Sequence, residues 1–539
     1  VSYRRHIHPA VAPSVVPSVQ IGEIPREITI DEISSLVKYY SEAAKRCAVS
    51  GVDVIEVQTS SDYLLGSFLN PQLNRRTDNY GGSLEKRCRI VIEILEGIRA
   101  VIPSNKALGI RTSIFHAIPG EPDGYTIKES LPAVQHIAST GLIDYVSVMA
   151  GSNANFSETI PPITYPRPQI ANLSQEFKKS LDIPVTVAGR IITPEDAENI
   201  LSKGQADLVG IARAVIADAK WMQKVNAGEP ERIRLCSGCN QVCLGFAARS
   251  LPAGCNINPE AGYESELSQL KKVSQSKKIA IVGGGPAGLE CSRVCAERGH
   301  SVTLYESSSY LGGMLKVISD SPNRGEMGQT IDWWENELRH NSVNVVLNRR
   351  IDAPEELDAD KIVWATGAKA SSVWQMRFRP SLVEGIPGTE GFLHGRDVLQ
   401  EGHKLEGSIA IIDEEGSWPL LNLIEAQINS SKVKKITVIS NSLLLGMPDL
   451  FMTGEYPLFS KRISEAGVIL NLGQFVKCVN KGIIETTNGN KFGPFDKIIL
   501  SMGSSSRNIP DGVDAIGDCV APRDIWAAVQ EGNRLARNL

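Results

Sequence analysis

Long hydrophobic runs are absent from this chain of 539 residues. No apolar stretch approaches the roughly 18 residues of a membrane-spanning helix, so we expect no membrane partner. An excess of positive charge is absent too: 56 Lys and Arg stand against 61 Asp and Glu, a formal net charge of −5. That balance predicts no nucleic-acid partner. The 42% hydrophobic content and 47 glycines are typical of a globular α/β protein, and the length predicts roughly two to four domains.

Cysteine is scarce except in one short window. Four of the ten cysteines lie within 20 residues, in the spacing C-x2-C-x3-C-x11-C, at Cys236, Cys239, Cys243 and Cys255. Four thiolates on one loop are the ligand set of a [4Fe–4S] cluster. A zinc site and two disulfides are the alternatives, but zinc sites usually pair two separated C-x2-C motifs. Because the other six cysteines are scattered, as in a reducing compartment, we predict a cluster and a cytoplasmic location.

The first 235 residues alternate apolar runs with amphipathic segments. Five β/α units in series favour part of a (β/α)8 TIM barrel, with an open doubly wound sheet as the alternative. The runs are typical of strands that are buried on both faces of a parallel sheet, and they are Val52–Val57, Ala107–Thr112, Ile143–Met149, Val185–Ala188 and Leu208–Ile211. The predicted helices between them are Ile33–Ala48, Ser83–Val101, Ile127–Ser139 and Pro194–Ser202.

A nucleotide-binding fingerprint follows the cysteine window. The predicted strand Lys278–Val282 runs into a G-x-G-x-x-G turn formed by Gly283, Gly285 and Gly288, and the next strand ends at Glu306. Glycines let a pyrophosphate approach the helix N-terminus, and an acid about 20 residues further on binds ribose hydroxyls. The order of strand, turn, helix, strand and acid therefore predicts a Rossmann-like adenine-dinucleotide site.

The stretch Phe68–Arg89 resembles the signature loop of the Old Yellow Enzyme family. With the four-cysteine window, the chain is similar to that family's multidomain branch, which includes trimethylamine dehydrogenase, 2,4-dienoyl-CoA reductase and the 2-enoate reductases. The resemblance implies an N-terminally incomplete FMN barrel, a [4Fe–4S] loop and a two-lobed Rossmann-like FAD/NAD(P)-binding module. The implied boundaries are 1–235 for the barrel, 236–276 for the loop and linker, 277–405 and 503–539 for the FAD or ADP lobe, and 406–502 for an inserted lobe.

The resemblance also implies cofactor contacts. Ligands of a β/α barrel lie at the C-terminal ends of its strands, with phosphate often near the last two strands. Arg111 resembles the arginine beside the flavin pyrimidine. The implied FMN phosphate contacts are Gly189, Arg190, Ala212 and Arg213. The further FAD or ADP contacts implied are Gly313, Ala365, Thr366, Gly367, Gly517 and Asp518.

The catalytic centre matches the family only in part. Tyr63 corresponds to the tyrosine that acts as proton donor in enoyl-reducing members, although packing in the core is the alternative for this residue. Gln58 and Asn153 stand where relatives have other polar residues, and their amides donate hydrogen bonds without titrating. His116 is the nearby histidine that is able to act as an acid or base. The tyrosine, histidine and aspartate set of the amine dehydrogenases is not present.

The inserted lobe keeps a strand but loses the fingerprint of an NAD(P)H site. After the run Ile409–Ile412, the turn Asp413–Gly416 has three acids and one glycine, and Trp418 stands where a helix should begin. Carboxylates repel a pyrophosphate, and bulky side chains prevent its close approach. We predict that this lobe has lost nucleotide binding, as in trimethylamine dehydrogenase and its relatives. An unusual NAD(P)H site is the alternative.

Together these features predict an oxidoreductase that uses FMN, a [4Fe–4S] cluster, and FAD or ADP. The leading interpretation is an amine dehydrogenase or demethylase that acts on a small molecule and passes electrons to an external electron-transfer protein. The first alternative is an NAD(P)H-dependent 2-enoate or 2,4-dienoyl-CoA reductase with Tyr63 as proton donor. The second is a non-catalytic electron-transfer subunit. The substrate and any homo-oligomeric state stay open.

Overall fold

A computed structural model describes residues 9–17, 22–114, 116–118, 121–152, 155–371, 386–403, 405–416, 418–446 and 449–539. The chain divides into two structural units. The first unit comprises residues 1–161 and 165–212, and the second comprises 162–164 and 213–539. Within the described ranges, no helix has both the length and the apolar character needed to cross a membrane.

A parallel sheet forms the centre of the first unit. Its five strands are Val54–Gln58, Ala107–Ser113, Tyr145–Met149, Val185–Ala188 and Leu208–Gly210. Each strand pairs in parallel with the next one along the chain, so the spatial order is the sequence order. A doubly wound sheet would reverse its strand order at a switch point. The sequential order is that of barrel strands and confirms the barrel prediction.

Helices connect these strands. Thr29 and Thr193 each cap a helix by accepting a hydrogen bond from a backbone N–H in its first turn, which satisfies a donor that the helix cannot pair internally. The helices of this unit are Ile30–Val49, Leu64–Leu69, Leu84–Arg99, Ile127–Ala138, Phe156–Thr159, Ala171–Ser180 and Pro194–Ser202. Two short strand pairs accompany them, Val11–Ala12 with Arg26–Glu27 and His116–Ile118 with Glu121–Tyr125.

The signature loop is held by buried polar side chains. The Asn74 amide donates to the carbonyl oxygens of Phe68 and Tyr80, both at 2.8 Å. Arg76 pairs with Asp78 and donates from Nη1 to the Ile28 carbonyl at 2.8 Å. These bonds satisfy the backbone carbonyls of Phe68, Tyr80 and Ile28 and hold the irregular segment between the helices Leu64–Leu69 and Leu84–Arg99.

The second unit contains two lobes, each built on a five-stranded parallel sheet. In spatial order, the first sheet is Asn344–Val346, Ser301–Tyr305, Lys278–Val282, Lys361–Trp364 and Asp514–Ala515. The second is Leu393–His394, Lys497–Ser501, Gly407–Asp413, Val433–Ser440 and Ile469–Asn471. An antiparallel sheet of Val476–Asn480, Ile483–Thr486 and Lys491–Phe492 extends the second lobe, and Lys369–Ala370 pairs with Ser504–Ser505 where the chain passes between the lobes.

Helices cover these sheets. Those of the first lobe and its approach are Ala212–Ala217, Trp221–Ala227, Gly245–Ala248, Glu264–Leu267, Pro286–Arg298, Met314–Ser319, Gly328–His340 and Ile525–Asn538. Those of the second lobe are Gly395–Gln400, Trp418–Ile428, Asp449–Thr453 and Tyr456–Glu465. Short 3-10 turns lie at Pro230–Arg232, Gly325–Met327, Pro354–Glu356 and Gly517–Cys519.

A buried carboxylate joins three helices of the first lobe. Glu290, on the helix Pro286–Arg298, has no exposed surface. It accepts hydrogen bonds from Arg293 at 2.7 Å, from the Trp334 indole at 3.0 Å and from the Asn533 amide at 2.8 Å. Burial by itself would raise the pKa of Glu290, but the charges of Arg293 and Arg234 outweigh burial and hold that pKa at about 2.

We expect Glu290→Gln to destabilise the second unit by about 3–5 kcal/mol near neutral pH, because it leaves Arg293 buried beside a neutral group. The folded-state pKa lies below the unfolded value of about 4.3. The charge therefore stabilises the fold above that value, and this contribution is lost as pH falls towards about 2. Urea unfolding at several pH values should show the difference between variant and wild type shrinking in acid.

The matched control is Glu297→Gln on the same helix. Glu297 also pairs with Arg293, but its side chain is 41% exposed, so we expect a change of at most about 1 kcal/mol. Equal losses in the two variants, or a loss from Glu290→Gln that does not depend on pH, would contradict the role given to the buried charge.

Candidate functional site

A cavity of about 1150 Å³ lies between the two lobes of the second unit. This volume is above the usual range for small-molecule sites, roughly 300–1,000 Å³. The residues that line the cavity come from distant parts of the sequence. The residues predicted from sequence that line it are Gly283, Gly285, Glu306, Gly313, Ala365, Thr366, Gly367 and Asp518.

The three fingerprint glycines have different physical roles. Gly283 has a φ of +112°, and a Cβ there would lie 2.3 Å from the Ala365 carbonyl oxygen. A Cβ on Gly288 would lie 2.0 Å from the Gly283 carbonyl oxygen, so this position lets the helix pack onto the turn. Gly285 precedes the helix Pro286–Arg298 and has open space where its Cβ would be. The structure therefore leaves room for a ligand at the helix N-terminus, where anions bind well.

Glu306 ends the second strand and also holds the glycine turn. Its carboxylate accepts from the backbone N–H groups of Gly284 and Ser308, both at 2.7 Å. The acid predicted to meet a ribose is therefore fixed in orientation by the turn that would meet the pyrophosphate. The position of the predicted ribose contact, Glu306, therefore depends on the glycine turn that is predicted to contact the pyrophosphate.

The C-terminal part of the chain also contributes residues to the cavity wall. Burial raises the pKa of Asp518, which accepts from the Arg523 backbone N–H at 3.1 Å. Gly517 has a φ of +73°, and its Cβ would lie 2.9 Å from the Ala287 Cβ, so this turn also packs closely on the fingerprint helix. The C-terminal helix begins at Ile525, with Asp524 as its cap.

Two buried polar atoms on the cavity wall are consistent with a polar ligand. The Thr366 hydroxyl and Nδ1 of His394 are buried and make no hydrogen bond within the described part of the chain. A buried polar atom without a partner is costly. A bound dinucleotide, with its hydroxyl and phosphate groups, fits this wall.

The four cysteines of the window lie close enough to affect one another's ionisation. Burial, followed by negative charge on the other three thiols, raises the pKa of Cys243. Burial also raises the pKa of Cys239 and brings that of Cys255 to about 12. Uncompensated thiolates would therefore be unfavourable here, and a cationic centre would stabilise them. Within the described chain, no group of three or more His, Cys, Asp or Glu side chains is arranged to hold a metal ion.

Backbone N–H groups point at the cysteine sulfurs. Gly238 donates to Sγ of Cys236 at 3.4 Å, and Gln241 donates from its backbone to Cys239. Ile257 and Asn258 donate to Cys255 in the same way. Such bonds to cysteine sulfur are among the features that set the potential of an iron–sulfur cluster. Backbone donors therefore reach the sulfurs of three of the four cysteines, Cys236, Cys239 and Cys255.

Side chains from outside the window fix the loop in place. Arg213 donates from Nη1 to Oδ1 of Asn240 at 2.6 Å, and the Asn240 amide donates to the Thr453 carbonyl at 3.1 Å. The Asn256 amide donates to the Gln241 side chain at 2.9 Å. Arg213 was predicted to meet FMN phosphate, and the structure places it on the cysteine loop.

Two of the catalytic residues predicted from sequence, Gln58 and Tyr63, lie in or after the first barrel strand, Val54–Gln58. Gln58 is exposed and stands opposite Arg111 across the parallel pair. Arg111 donates from Nε to the Met149 sulfur at 3.3 Å, with Nη1 3.8 Å from a Glu56 carboxylate oxygen. Tyr63 is 38% exposed and precedes the helix Leu64–Leu69, so it is not a core residue.

The remaining predicted barrel residues follow the later strands. Gly189 and Arg190 come directly after the fourth strand, with Arg190 buried at a φ of 54°. Ala212 is the first residue of the helix that follows the fifth strand. Asn153 lies outside the described residues, and the side chain of His116 is not among those described.

The degenerate turn of the second lobe is closed by its own carboxylate. Asp413 is buried and accepts from the backbone N–H groups of Glu415 at 3.2 Å and Gly416 at 2.8 Å. Its second oxygen accepts from the Ser440 hydroxyl at 2.6 Å. Backbone N–H groups of such a turn would otherwise face a phosphate. The next helix begins at Trp418.

Sequence reasoning missed several cavity residues. They come from the second lobe, from the segment before it and from the cysteine loop, and they are Gln241, Arg324, His394, Arg396 and Arg507. No motif marks these positions in the sequence. Only the closure of one lobe over the other brings them to the cavity wall.

Two parts of the chain match models of known protein families. Residues 7–232 match the family model described as NADH:flavin oxidoreductase / NADH oxidase family. Residues 277–405 match the model described as pyridine nucleotide-disulphide oxidoreductase. The fold and these matches define a flavoprotein oxidoreductase in which a TIM barrel of the FMN type precedes a Rossmann-like module.

Individual relatives extend over nearly the whole chain. The NADH oxidase of Thermoanaerobacter brockii is 36% identical, with 98% of this chain and 81% of that protein covered. The metal reductase of Desulforamulus reducens is 31% identical over 97% of this chain and 82% of its own. The structure of 6-hydroxypseudooxynicotine amine oxidase from Pseudomonas geniculata N1 superposes with a TM-score of 0.89 at 25% identity, covering 98% of this chain and 82% of that one. The chain belongs to the NADH:flavin oxidoreductase / NADH oxidase family, and it is an oxidoreductase enzyme, so the non-catalytic alternative is set aside.

Two glycine variants separate packing from ligand binding. We expect Gly288→Ala to lower stability by about 1–3 kcal/mol, because its Cβ would meet the backbone oxygen of Gly283. We expect Gly285→Ala to unfold like wild type but to bind FAD about tenfold more weakly, since its methyl group would stand where a pyrophosphate approaches. Urea unfolding and quenching of FAD fluorescence by the cofactor-free protein measure the two effects. A neutral Gly288→Ala would contradict this assignment.

Proposed function

We propose that this enzyme oxidises a small molecule at FMN in the barrel and passes the electrons through a [4Fe–4S] cluster and the second unit to an external electron-transfer protein. The observation that carries the proposal is the Asp413 carboxylate, which already occupies the backbone donors of the second lobe's turn. With those donors occupied, the lobe lacks the anion site by which a nicotinamide dinucleotide would enter. The acceptor is then a separate carrier.

The cysteine loop supports the cluster. Its four thiols are mutual neighbours, and backbone donors reach three of them. Four thiols in the spacing C-x2-C-x3-C-x11-C supply the four thiolates that a [4Fe–4S] cluster requires. Cys236, Cys239, Cys243 and Cys255 would each ligate one iron. When bound, a flavin exchanges electrons in pairs and a cluster moves them singly.

Of the two candidate ligands of the second unit, FAD fits the cavity better than ADP does. The cavity continues past the residues that would hold an adenosine diphosphate and reaches Gln241 on the cysteine loop. Asp518, Thr366 and His394 also line this cavity. A flavin ring at this end would stand beside the loop, whereas ADP would leave the end of the cavity unfilled.

An amine is the substrate class we favour. The chain superposes on an amine oxidase over almost its whole length, and an oxidase or dehydrogenase that passes its electrons to a separate carrier has no need of a nicotinamide site. The ten cysteines, all of them free thiols, support a location in a reducing compartment such as the cytoplasm.

A second candidate is an NAD(P)H-dependent alkene reductase. It is favoured by Tyr63, a residue 38% exposed between the first strand and the helix Leu64–Leu69, since a phenol is able to donate a proton to a substrate carbon. The similarity to an NADH oxidase also favours it. In this case electrons would flow from the second unit towards the barrel.

The direction of flow is tested by adding NADH, and then NADPH, to anaerobic enzyme. We expect the flavin absorbance to stay unchanged with either nucleotide, because Asp413 occupies the donors that a pyrophosphate needs. Dithionite, as the positive control, should bleach the flavin and so show that it is reducible. Rapid bleaching by either nucleotide would contradict the leading proposal and support the alkene reductase.

The cluster is tested by substitution in the loop. We expect Cys243→Ser to lose most of its iron and acid-labile sulfide, because one of four buried thiolate ligands is removed. Cys47→Ser, at an exposed thiol outside the loop, is the matched control and should keep the wild-type content. Metal and sulfide analysis gives the readout. Zinc without sulfide in the wild-type protein would establish the zinc alternative instead.

A further inference from the structure

A buried ion pair lies between the dinucleotide cavity and the cysteine loop. Arg324 and Glu455 approach to 2.6 Å, and their side chains are only 2% and 1% exposed. Arg324 belongs to the first lobe and Glu455 to the second, so the pair crosses the boundary between the lobes. A charge pair at this depth has lost its hydration and interacts strongly with any other charge nearby.

The arginine end of the pair faces the cavity. Arg324 lines the cavity wall, and its guanidinium lies 5.0 Å from the centre of the Trp418 ring. Its Nε donates to the Asn422 side chain at 3.3 Å. These contacts hold the cation at the wall where we place the flavin end of the dinucleotide.

The glutamate end faces the cysteine loop. Thr453, two residues before Glu455, accepts a hydrogen bond from Asn240, which directly follows Cys239. The Glu455 carboxylate is among the charges that act on the Cys239 thiol. Its Oε1 is buried and makes no hydrogen bond within the described chain. Arg324 pairs with this carboxylate directly, and Arg462 is the other positive charge that acts on it.

The charged side chains around the ion pair sum to zero, so a substitution that neutralises one of them changes the local net charge by one. Glu425 lies beside the pair, with Oε2 at 4.0 Å from Nη2 of Arg324, and Arg462 pairs with Glu425 from its other side. Two arginines and two glutamates thus form a neutral group. Neutralising either Arg324 or Glu455 leaves one uncompensated charge, and the sign of that charge depends on which residue is changed.

We propose that Arg324 and Glu455 are positioning residues that set the reduction potential of the cysteine-loop cluster by their charges, and that they do so from the wall of the dinucleotide cavity. Reduction adds one electron to the cluster, so a nearby carboxylate opposes it and a nearby guanidinium favours it. The pair would bring the reduction potential of the cluster closer to that of the flavin beside it. This inference rests on the proposed function, since it requires a cluster in the loop.

The test is a redox titration of the full-length protein, purified anaerobically and followed by the electron paramagnetic resonance signal of the reduced cluster. We expect Glu455→Gln to shift the ratio of reduced to oxidised cluster about tenfold towards reduction, or about 59 mV upward for one electron. Arg324→Gln should shift it in the opposite direction. Opposite signs are diagnostic, because a loosened structure has no reason to move the potential in opposite directions.

Two further variants separate charge from structure. Glu455→Asp keeps the charge and should stay close to the wild-type potential. Asp358→Asn removes a carboxylate whose side chain is 93% exposed, so solvent screens its charge and the variant should keep the wild-type potential. Iron analysis of each variant shows whether the cluster is present.

The outcomes are distinguishable. Shifts of the same sign in both single variants, no shift with the cluster present, or folded variants that load no iron would each overturn the proposal. Absence of iron and of the signal in the wild-type protein would refute the proposed cluster, and this inference with it.

Discussion

The close packing of one helix is the constraint on which the second unit depends. The helix Pro286–Arg298 touches the glycine turn at Gly288 and the C-terminal helix at Gly532, where a Cβ would lie 2.3 Å from the Ala287 carbonyl oxygen. No side chain larger than hydrogen fits at either contact. This packing brings the end of the chain back to the first lobe, and Glu290 fixes it with buried hydrogen bonds.

The cysteine loop depends on that arrangement. It is an irregular segment whose buried donors and acceptors must be satisfied by other parts of the chain. Asn240 is the clearest case, because it accepts from Arg213 and donates to Thr453 in the second lobe. Gln241 supplies both a donor to Cys239 and a side chain on the cavity wall. The loop is thereby connected both to the second lobe and to the wall of the dinucleotide cavity.

The second lobe combines a nucleotide-binding type of fold with a turn whose backbone donors are paired inside the protein. Its parallel sheet and the helix that begins at Trp418 are intact, while Asp413 satisfies the donors of the turn from within the protein. The lobe instead supplies His394, Arg396 and Trp418 to the wall of the neighbouring cavity.

The sequence by itself determined the β/α order of the barrel, the Rossmann-like first lobe and the cysteine window, because apolar periodicity, glycine turns and cysteine spacing are local patterns. It predicted Gly283, Gly285 and Glu306, which line the cavity, for the same reason. Only the tertiary structure placed Arg213 on the cysteine loop and paired Arg324 with Glu455, residues 131 positions apart. Such contacts arise from how lobes close on one another. Long-range packing of this kind leaves no periodic trace in the chain.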